Sequence, residues 1–126
     1  MNASPFPVRE LIHSVDNVKH RKSGAVRSPI GLFSIYNDCV EWRDNDSPTV
    51  IVITHGEIKA QRKSLPFKSK VQMQIVKVND EQVTFMFNEQ NVTKEELLRM
   101  RDRFLDILQD ALLDYRQRLS EMKAEL

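Results

Sequence analysis

The sequence predicts a mainly β, α+β fold: about seven short antiparallel strands forming a small barrel or orthogonal sandwich, capped by one long C-terminal amphipathic helix. Two observations carry this. Between Leu11 and Phe87, short alternating or β-branched runs are separated by compact turn signals. After Thr93 the apolar period changes from two to three and four.

The elements follow in order. Residues 1–10 begin with two prolines among small polar residues and are expected to form a flexible arm. Leu11 to Lys19 reads as a first strand, followed by the basic loop His20-Arg21-Lys22-Ser23-Gly24. Gly31 to Tyr36 is a second strand, with Asn37-Asp38 as a tight turn. Cys39 to Arg43 is a third, placing Val40 and Trp42 on one face and so in the core. Asp44-Asn45-Asp46-Ser47-Pro48 is a turn cluster. Thr49 to Thr54, with VIVI at its centre, is expected to be a buried strand. His55-Gly56 breaks that run, and Glu57 to Gln61 is expected to continue it. Val71, Met73 and Ile75 alternate with glutamines in a half-buried strand. Asn79-Asp80 turns into Gln82 to Phe87, whose Val83, Phe85 and Phe87 share a face.

Thr93-Lys94-Glu95-Glu96 has the form of a capping box, with Thr93 as N-cap and Glu96 at the third helical position. Leu97, Met100, Phe104, Leu108, Ala111, Tyr115, Leu119 and Met122 then mark one apolar stripe. The helix is expected to run from about Lys94 to the C-terminus, well beyond the roughly 11–12-residue mean. The domain organisation that results is an arm over 1–10, one domain over 11–116, and a distal helix extension over 117–126 whose Leu119 and Met122 point to a further contact.

Composition narrows the function classes. At 126 residues the chain supports one cored domain. Its net charge of +1 hides an uneven distribution. Residues 1–79 hold 12 Lys/Arg against 7 Asp/Glu, and residues 80–126 hold 7 against 11. The single cysteine, Cys39, excludes an internal disulfide and a Cys-based zinc site, and fits a reducing compartment. It reads as a buried, inert thiol. The first ten residues lack the pattern of a secretory signal. The three histidines have no ligand spacing, so no metal is expected. Three glycines form no phosphate-cradling loop, and no catalytic constellation stands out. Neither an enzyme nor a cofactor is expected.

The run from Lys59 to Gln74, KAQRKSLPFKSKVQMQ, holds Lys59, Arg62, Lys63, Lys68 and Lys70 and not one acid. Such a field speeds encounter with an acidic partner and disfavours basic ones. Each exposed ion pair contributes only about 0–1 kcal/mol. Affinity therefore needs an apolar anchor set in a shallow pocket, worth about 2 kcal/mol or more. The stems of Lys68, Lys70 and Arg62 can wall that pocket, and Gln72 and Gln74 share a strand face from which to bond a partner backbone.

The order of strands and helix is that of the pleckstrin-homology (PH) architecture. The strings GLFSIYNDCVEW (31–42), IKAQ (58–61), KSKVQMQIV (68–76) and FMFN (85–88) are more specific. Over roughly residues 11–115 they resemble the N-terminal PH-like domain of subunit one of the transcription and DNA-repair factor TFIIH. The resemblance implies a nuclear, non-catalytic protein-interaction module. It implies partners that are acidic disordered segments: transactivation domains, the large subunit of TFIIE and nucleotide-excision-repair factors. The TFIIH core subunits would be reached through regions outside this chain. Carried over by position, Lys68, Lys70, Gln72, Gln74 and Ser64 match the family pattern. Arg62 stands for a common lysine, Lys63 for an aliphatic residue, and Thr84 for an asparagine. Arg21 and Lys22 correspond to a basic pair, and Arg101 and Arg103 are candidates for a basic helix contact.

Two other classes stand beside this reading. Lys19, Arg21, Lys22 and Arg27 lie where lipid-binding PH domains gather cations, which makes weak phosphoinositide binding the alternative. Nucleic acid is not expected, because Phe67 is the only aromatic within the basic run and no groove-reading helix accompanies it.

Overall fold

The computed structural model describes residues 4–21, 28–64, 70–88 and 92–125. Seven antiparallel strands form one sheet: β1 (Leu11–Arg21), β2 (Ile30–Tyr36), β3 (Cys39–Asp44), β4 (Val50–Thr54), β5 (Ile58–Lys63), β6 (Val71–Lys77) and β7 (Gln82–Phe87). A single α-helix, α1 (Lys94–Ala124), follows. The strand order is β4-β3-β2-β1-β7-β6-β5, so β4 and β5 are the two edges.

β1 joins the two halves of the sheet. Its pairing with β2 shifts register between Val15 and Val18, where Asn17 adopts a left-handed φ of 58°. Asparagine is among the few non-glycine residues that tolerate this conformation. Beyond the bulge, Val18 to Arg21 pair with Phe87 to Thr84 of β7, while Val18 and Lys19 still pair with β2. Bulges bend a strand and sharpen its twist, and here one strand serves both halves.

The core sits between the inner sheet face and the helix. Phe33 stacks on Phe85 at 4.1 Å and on Phe104 of α1 at 4.3 Å. Trp42 and Val40 are buried, as their alternation requires, and the Trp42 indole donates to the Val18 carbonyl at 2.9 Å. A Cβ on Gly31 would collide with the Arg43 carbonyl and lie 2.7 Å from the Trp42 ring, so only glycine fits beneath this contact. On the helix, Phe104, Leu108, Ala111 and Tyr115 are buried along the expected stripe, and Leu119 and Met122 are partly buried. Thr93 caps the helix, its hydroxyl accepting from the Glu96 amide at 3.2 Å. Cys39 is fully buried, which pushes its thiol up to about 12.

Two strand expectations are corrected. β4 is an edge strand, not a buried one: Val50 and Val52 are 37% and 44% exposed, and Ile51 and Ile53 alone face inward. A β-branched run looks the same at an edge as at the centre of a sheet. Nor does the segment after His55 extend β4. A 3-10 turn over His55–Glu57 carries the chain across, and Ile58–Lys63 pairs with β6 at the opposite edge.

Where it is described, the N-terminal arm is tied down. Arg9 pairs with Asp38 at 2.9 Å, and Asn37 bonds the Val8 carbonyl and the Glu10 amide at 2.9 and 3.0 Å. Phe6 lies beside Tyr115, with the Arg118 guanidinium 5.3 Å from its ring centre.

His55 lies beneath the same part of the helix, 2% exposed and edge-on to Tyr115. Its Nε2 is 2.8 Å from the Tyr36 carbonyl, which makes Nε2 the donor and leaves buried Nδ1 as a bare acceptor. Desolvation, with Arg116 adding, outweighs the Tyr36 bond and Asp38 and lowers the affinity of His55 for a proton. His13 is lowered in the same direction, by burial and by Arg103. The unfolded chain then binds protons that the folded chain refuses, so stability holds above the ordinary histidine value of 6.5 and falls as pH drops below it. Thermal melts between about pH 7.5 and 5.5 will show this fall. His55→Gln will reduce its slope, and an unchanged slope would exclude His55 as its source.

Candidate functional site

The site is built on the outward faces of β5, β6, β7 and β1. Strand register brings two transverse rows together. One is Arg62 (β5), Gln74 (β6), Thr84 (β7) and Arg21 (β1). The second is Ser64, Gln72, Met86 and Lys19, with the Ser64 amide donating to the Gln72 carbonyl at 3.0 Å. The rows hold three cations and no acid. Over their β5–β6 end lies an open hollow of about 290 Å³, lined by Arg62, Lys63, Ser64, Gln72, Met73 and Gln74.

The polar groups in this hollow are already oriented. The Gln74 side-chain NH₂ donates to the Thr84 hydroxyl at 3.1 Å, which holds the amide in place. Thr84 thus meets a glutamine directly where the family pattern has an asparagine. The Ser64 hydroxyl accepts from the Gln72 amide at 3.0 Å and lies 3.2 Å from the Lys70 carbonyl. Arg62 and Lys70 are exposed, while Gln72, Gln74 and Thr84 are partly buried. A site of this kind has a held side-chain amide, exposed cations at its rim and a shallow floor. It can hold a side chain and bond an extended backbone.

Lys63 departs from a free rim position. Its Nζ lies 3.4 Å from Asp102 of α1, and its stem lines both the hollow and a second groove of about 220 Å³ between β5 and the helix. That second groove sets Asp102 and Asp106 of the helix against Arg62 and Lys63 of β5, beside Leu105, so its charges are mixed where the outward sheet rows carry cations alone.

Of the two helix arginines, the structure places neither as a free cation in the hollow. Arg101 is 1% exposed. Its Nη1 donates to the Ser64 carbonyl at 2.9 Å and the Ser64 hydroxyl at 3.1 Å. Its Nε and Nη2 donate to the Asp102 carboxylate at 3.1 Å. It fastens the helix to the β5–β6 hairpin from behind the site. Arg103 is exposed but lies away from the hollow, in a depression lined by Glu96, Arg99 and Met100, and on the side of His13.

Arg21 stands at the end of β1, opposite Thr84. Lys68, Lys22 and Arg27, together with Phe67, lie outside the described residues. Sequence reasoning missed Met86, and grouped Lys19 with the cations of the phosphoinositide alternative rather than with this face. The period of two that sends Val83, Phe85 and Phe87 inward also sends Thr84 and Met86 outward, so Met86 could have been found.

Replacing Arg101 tests its role. Arg101→Met keeps much of the volume and removes the donors to Ser64. Leaving the partly buried Ser64 carbonyl without them costs about 1–3 kcal/mol. Chemical denaturation will show a loss of that order, against little change for Arg103→Met; equal small effects would contradict the assignment.

Comparison with known proteins adds the following. The family model "TFIIH p62 subunit, N-terminal domain" matches residues 25–109. No curated protein sequence matches the chain. Among solved structures, the C-terminal domain of an unknown protein from Leishmania infantum superposes with a TM-score of 0.66 at 18% identity, covering 83% of this chain and 85% of that one. The Vps36 N-terminal PH domain gives 0.60 at 14%, covering 89% and 83%. A chain of the 8S snRNP assembly intermediate gives 0.61 at 13%, covering 90% of each. These likenesses show the PH fold, and the family match covers both β5–β6–β7 and the helix residues that hold them: the chain belongs to the family of the N-terminal domain of the TFIIH p62 subunit.

Proposed function

We propose that this chain is a non-catalytic, nuclear interaction module of TFIIH that docks acidic, disordered segments of other proteins on the β5–β6–β7–β1 face. Transcription activators, the large subunit of TFIIE and nucleotide-excision-repair factors are the partner class. An aromatic side chain of the partner enters the hollow over Arg62, Ser64, Gln72 and Gln74. Its carboxylates meet Arg62, Lys70 and Arg21. The TFIIH core is reached through regions outside this chain.

The observation that carries the reading is the pre-oriented hollow within an acid-free basic face. The Gln74 amide is held by Thr84 at 3.1 Å and the Ser64 hydroxyl by the Gln72 amide at 3.0 Å. Little ordering entropy is then left to lose when a partner binds, and preorganisation raises affinity by lowering that cost. The disordered partner still loses its own freedom, which keeps binding moderate and reversible. Phosphorylation beside the aromatic anchor adds charge facing these cations and tightens binding.

The test is an NMR titration of the labelled chain with a synthetic acidic peptide carrying one Phe, at low and high salt. A Phe→Ala peptide and a soluble inositol-phosphate headgroup run in parallel. Amide shifts centred on Arg62, Ser64, Gln72, Gln74 and Thr84 are expected, weakened by salt and largely lost with Phe→Ala. Arg62→Glu will weaken binding by roughly tenfold, about 1.4 kcal/mol. Headgroup shifts around Lys19 and Arg21 without peptide shifts at the hollow would overturn the proposal in favour of a phosphoinositide-directed PH domain.

A further inference from the structure

We propose that β4 is a second docking edge, at the far end of the strand order from the hollow, and that it pairs with an extended, uncharged segment of another protein flanked by basic residues. The inference is independent of the acidic-segment reading above, since it concerns another strand and a partner of opposite charge.

Three observations carry it. The first is a free row of backbone groups. β4 pairs with β3 on one side, and among the described residues no strand lies on its other side. The His55 amide donates to the Asp38 carbonyl at 2.9 Å, and the Asp44 amide to the Thr49 carbonyl at 3.0 Å. Bonded pairs alternate along an antiparallel ladder, so Val40 with Ile53 and Trp42 with Ile51 are the bonded pairs between these two ends. The intervening Val50, Val52 and Thr54 turn their amides away from β3, and both valines turn their carbonyls the same way. The valine side chains are exposed beside that row.

The second observation is that this edge is unguarded. Sheet edges are normally protected by charge, proline or a bulge. β5, the other edge, carries Lys59, Arg62 and Lys63. β4 reads VIVIT, with no charge and no proline, and its register with β3 is unbroken. An added strand would complete the backbone bonds and pack its own side chains beside Val50 and Val52.

The third is charge. At the Val50 end, the Asp44 carboxylate accepts from the Asp46 amide at 2.9 Å and from the Ser47 hydroxyl at 2.8 Å, and this turn presents Asp46 to solvent. On β3, Glu41 stands opposite Val52 and Arg43 opposite Val50, and these two pair with each other at 3.1 Å. The two aspartates of the turn therefore set the sign at this end. A strand running past Val50 gains from a lysine or arginine there and is opposed if it carries an acid. The same charges disfavour a second copy of this chain. Two β4 strands paired about Val52 would bring each Asp46 turn toward the other's Glu57, whose cation Lys77 is already shared with Glu81.

The experiment titrates the nitrogen-15-labelled full chain with synthetic peptides that alternate Thr and Val over six residues. Two lysines follow the strand in one peptide and precede it in another, and matched peptides carry glutamates instead. The expected result is shifted and exchange-protected amides at Val50, Val52 and Thr54, with Arg62 and Gln74 unmoved. The better lysine peptide binds about fivefold more tightly than its glutamate match, and Asp46→Lys removes that difference. N-methylation of alternate peptide residues abolishes binding in one frame and spares it in the other, because only every second amide faces β4. Val52→Lys, which guards the edge, weakens all the peptides. Unmoved β4 amides, equal binding of the lysine and glutamate peptides, or equal tolerance of N-methylation in both frames would overturn the proposal. So would β4 shifts that grow with protein concentration in the absence of peptide, which would make a second copy the occupant.

Discussion

A buried guanidinium organises the binding face. Arg101 projects from the helix into the end of the β5–β6 hairpin, where it donates to the Ser64 carbonyl and hydroxyl, while Asp102 balances its charge. A buried cation with one partner removed is costly, so helix, hairpin and Asp102 hold one another in place. Ser64 in turn receives the Gln72 amide and fixes the end of β6. The side chains that line the hollow are thus positioned from behind, by a residue that does not itself line it. This separates two roles for cations in the chain: Arg101 is spent on position, while Arg62, Lys70, Arg21 and Lys19 are left to present charge.

The bulge in β1 works at the other end of the same face. Beyond the bulge at Asn17, β1 pairs with β7 as well as with β2, bringing Lys19 and Arg21 beside Met86 and Thr84. Residues from β1 and β5, some forty positions apart in sequence, thereby share two rows. The charge asymmetry then becomes spatial. The sheet face is basic, and the helix beside it carries Asp102 and Asp106. Long-range steering needs only this separation, since attraction fades beyond roughly 8 Å at physiological salt. The short-range contacts depend on the Gln74 side-chain amide held by Thr84 and on the Ser64 hydroxyl held by the Gln72 backbone amide. Charge accounts for encounter and orientation, and apolar anchoring accounts for residence.

Most of the fold could be read from residue order. The seven strands, the tight turns and the cap at Thr93 are local features, each announced by alternation or by turn and cap chemistry within a few residues. What failed was non-local. The VIVI run of β4 looks like a central strand, and only the path of the chain makes it an edge. His55 to Glu57 reads as a break, but nothing in those residues says that the chain crosses to the far side of the sheet. The binding face was legible in part: the acid-free run and the outward glutamines marked β5 and β6. Arg101 was not, because it sits one position beyond Met100 among other charged residues and its burial depends on where the hairpin ends. Lys19, the last residue of the expected first strand, was grouped with the cations that follow it because β1 extends two residues further than its alternation suggests, to Arg21.

The claim that most of this depends on is that Arg101 positions the docking surface without forming part of it. Hydrogen exchange measured residue by residue, in the wild-type chain and in Arg101→Met, tests it directly. The account requires protection to fall selectively at the Ser64 and Gln72 amides, with the amides of Ile35 and Phe85 in the core still protected, and acidic-peptide binding to weaken together with that local loss. Unchanged protection at Ser64 and Gln72, or a uniform loss across the whole sheet, would contradict it.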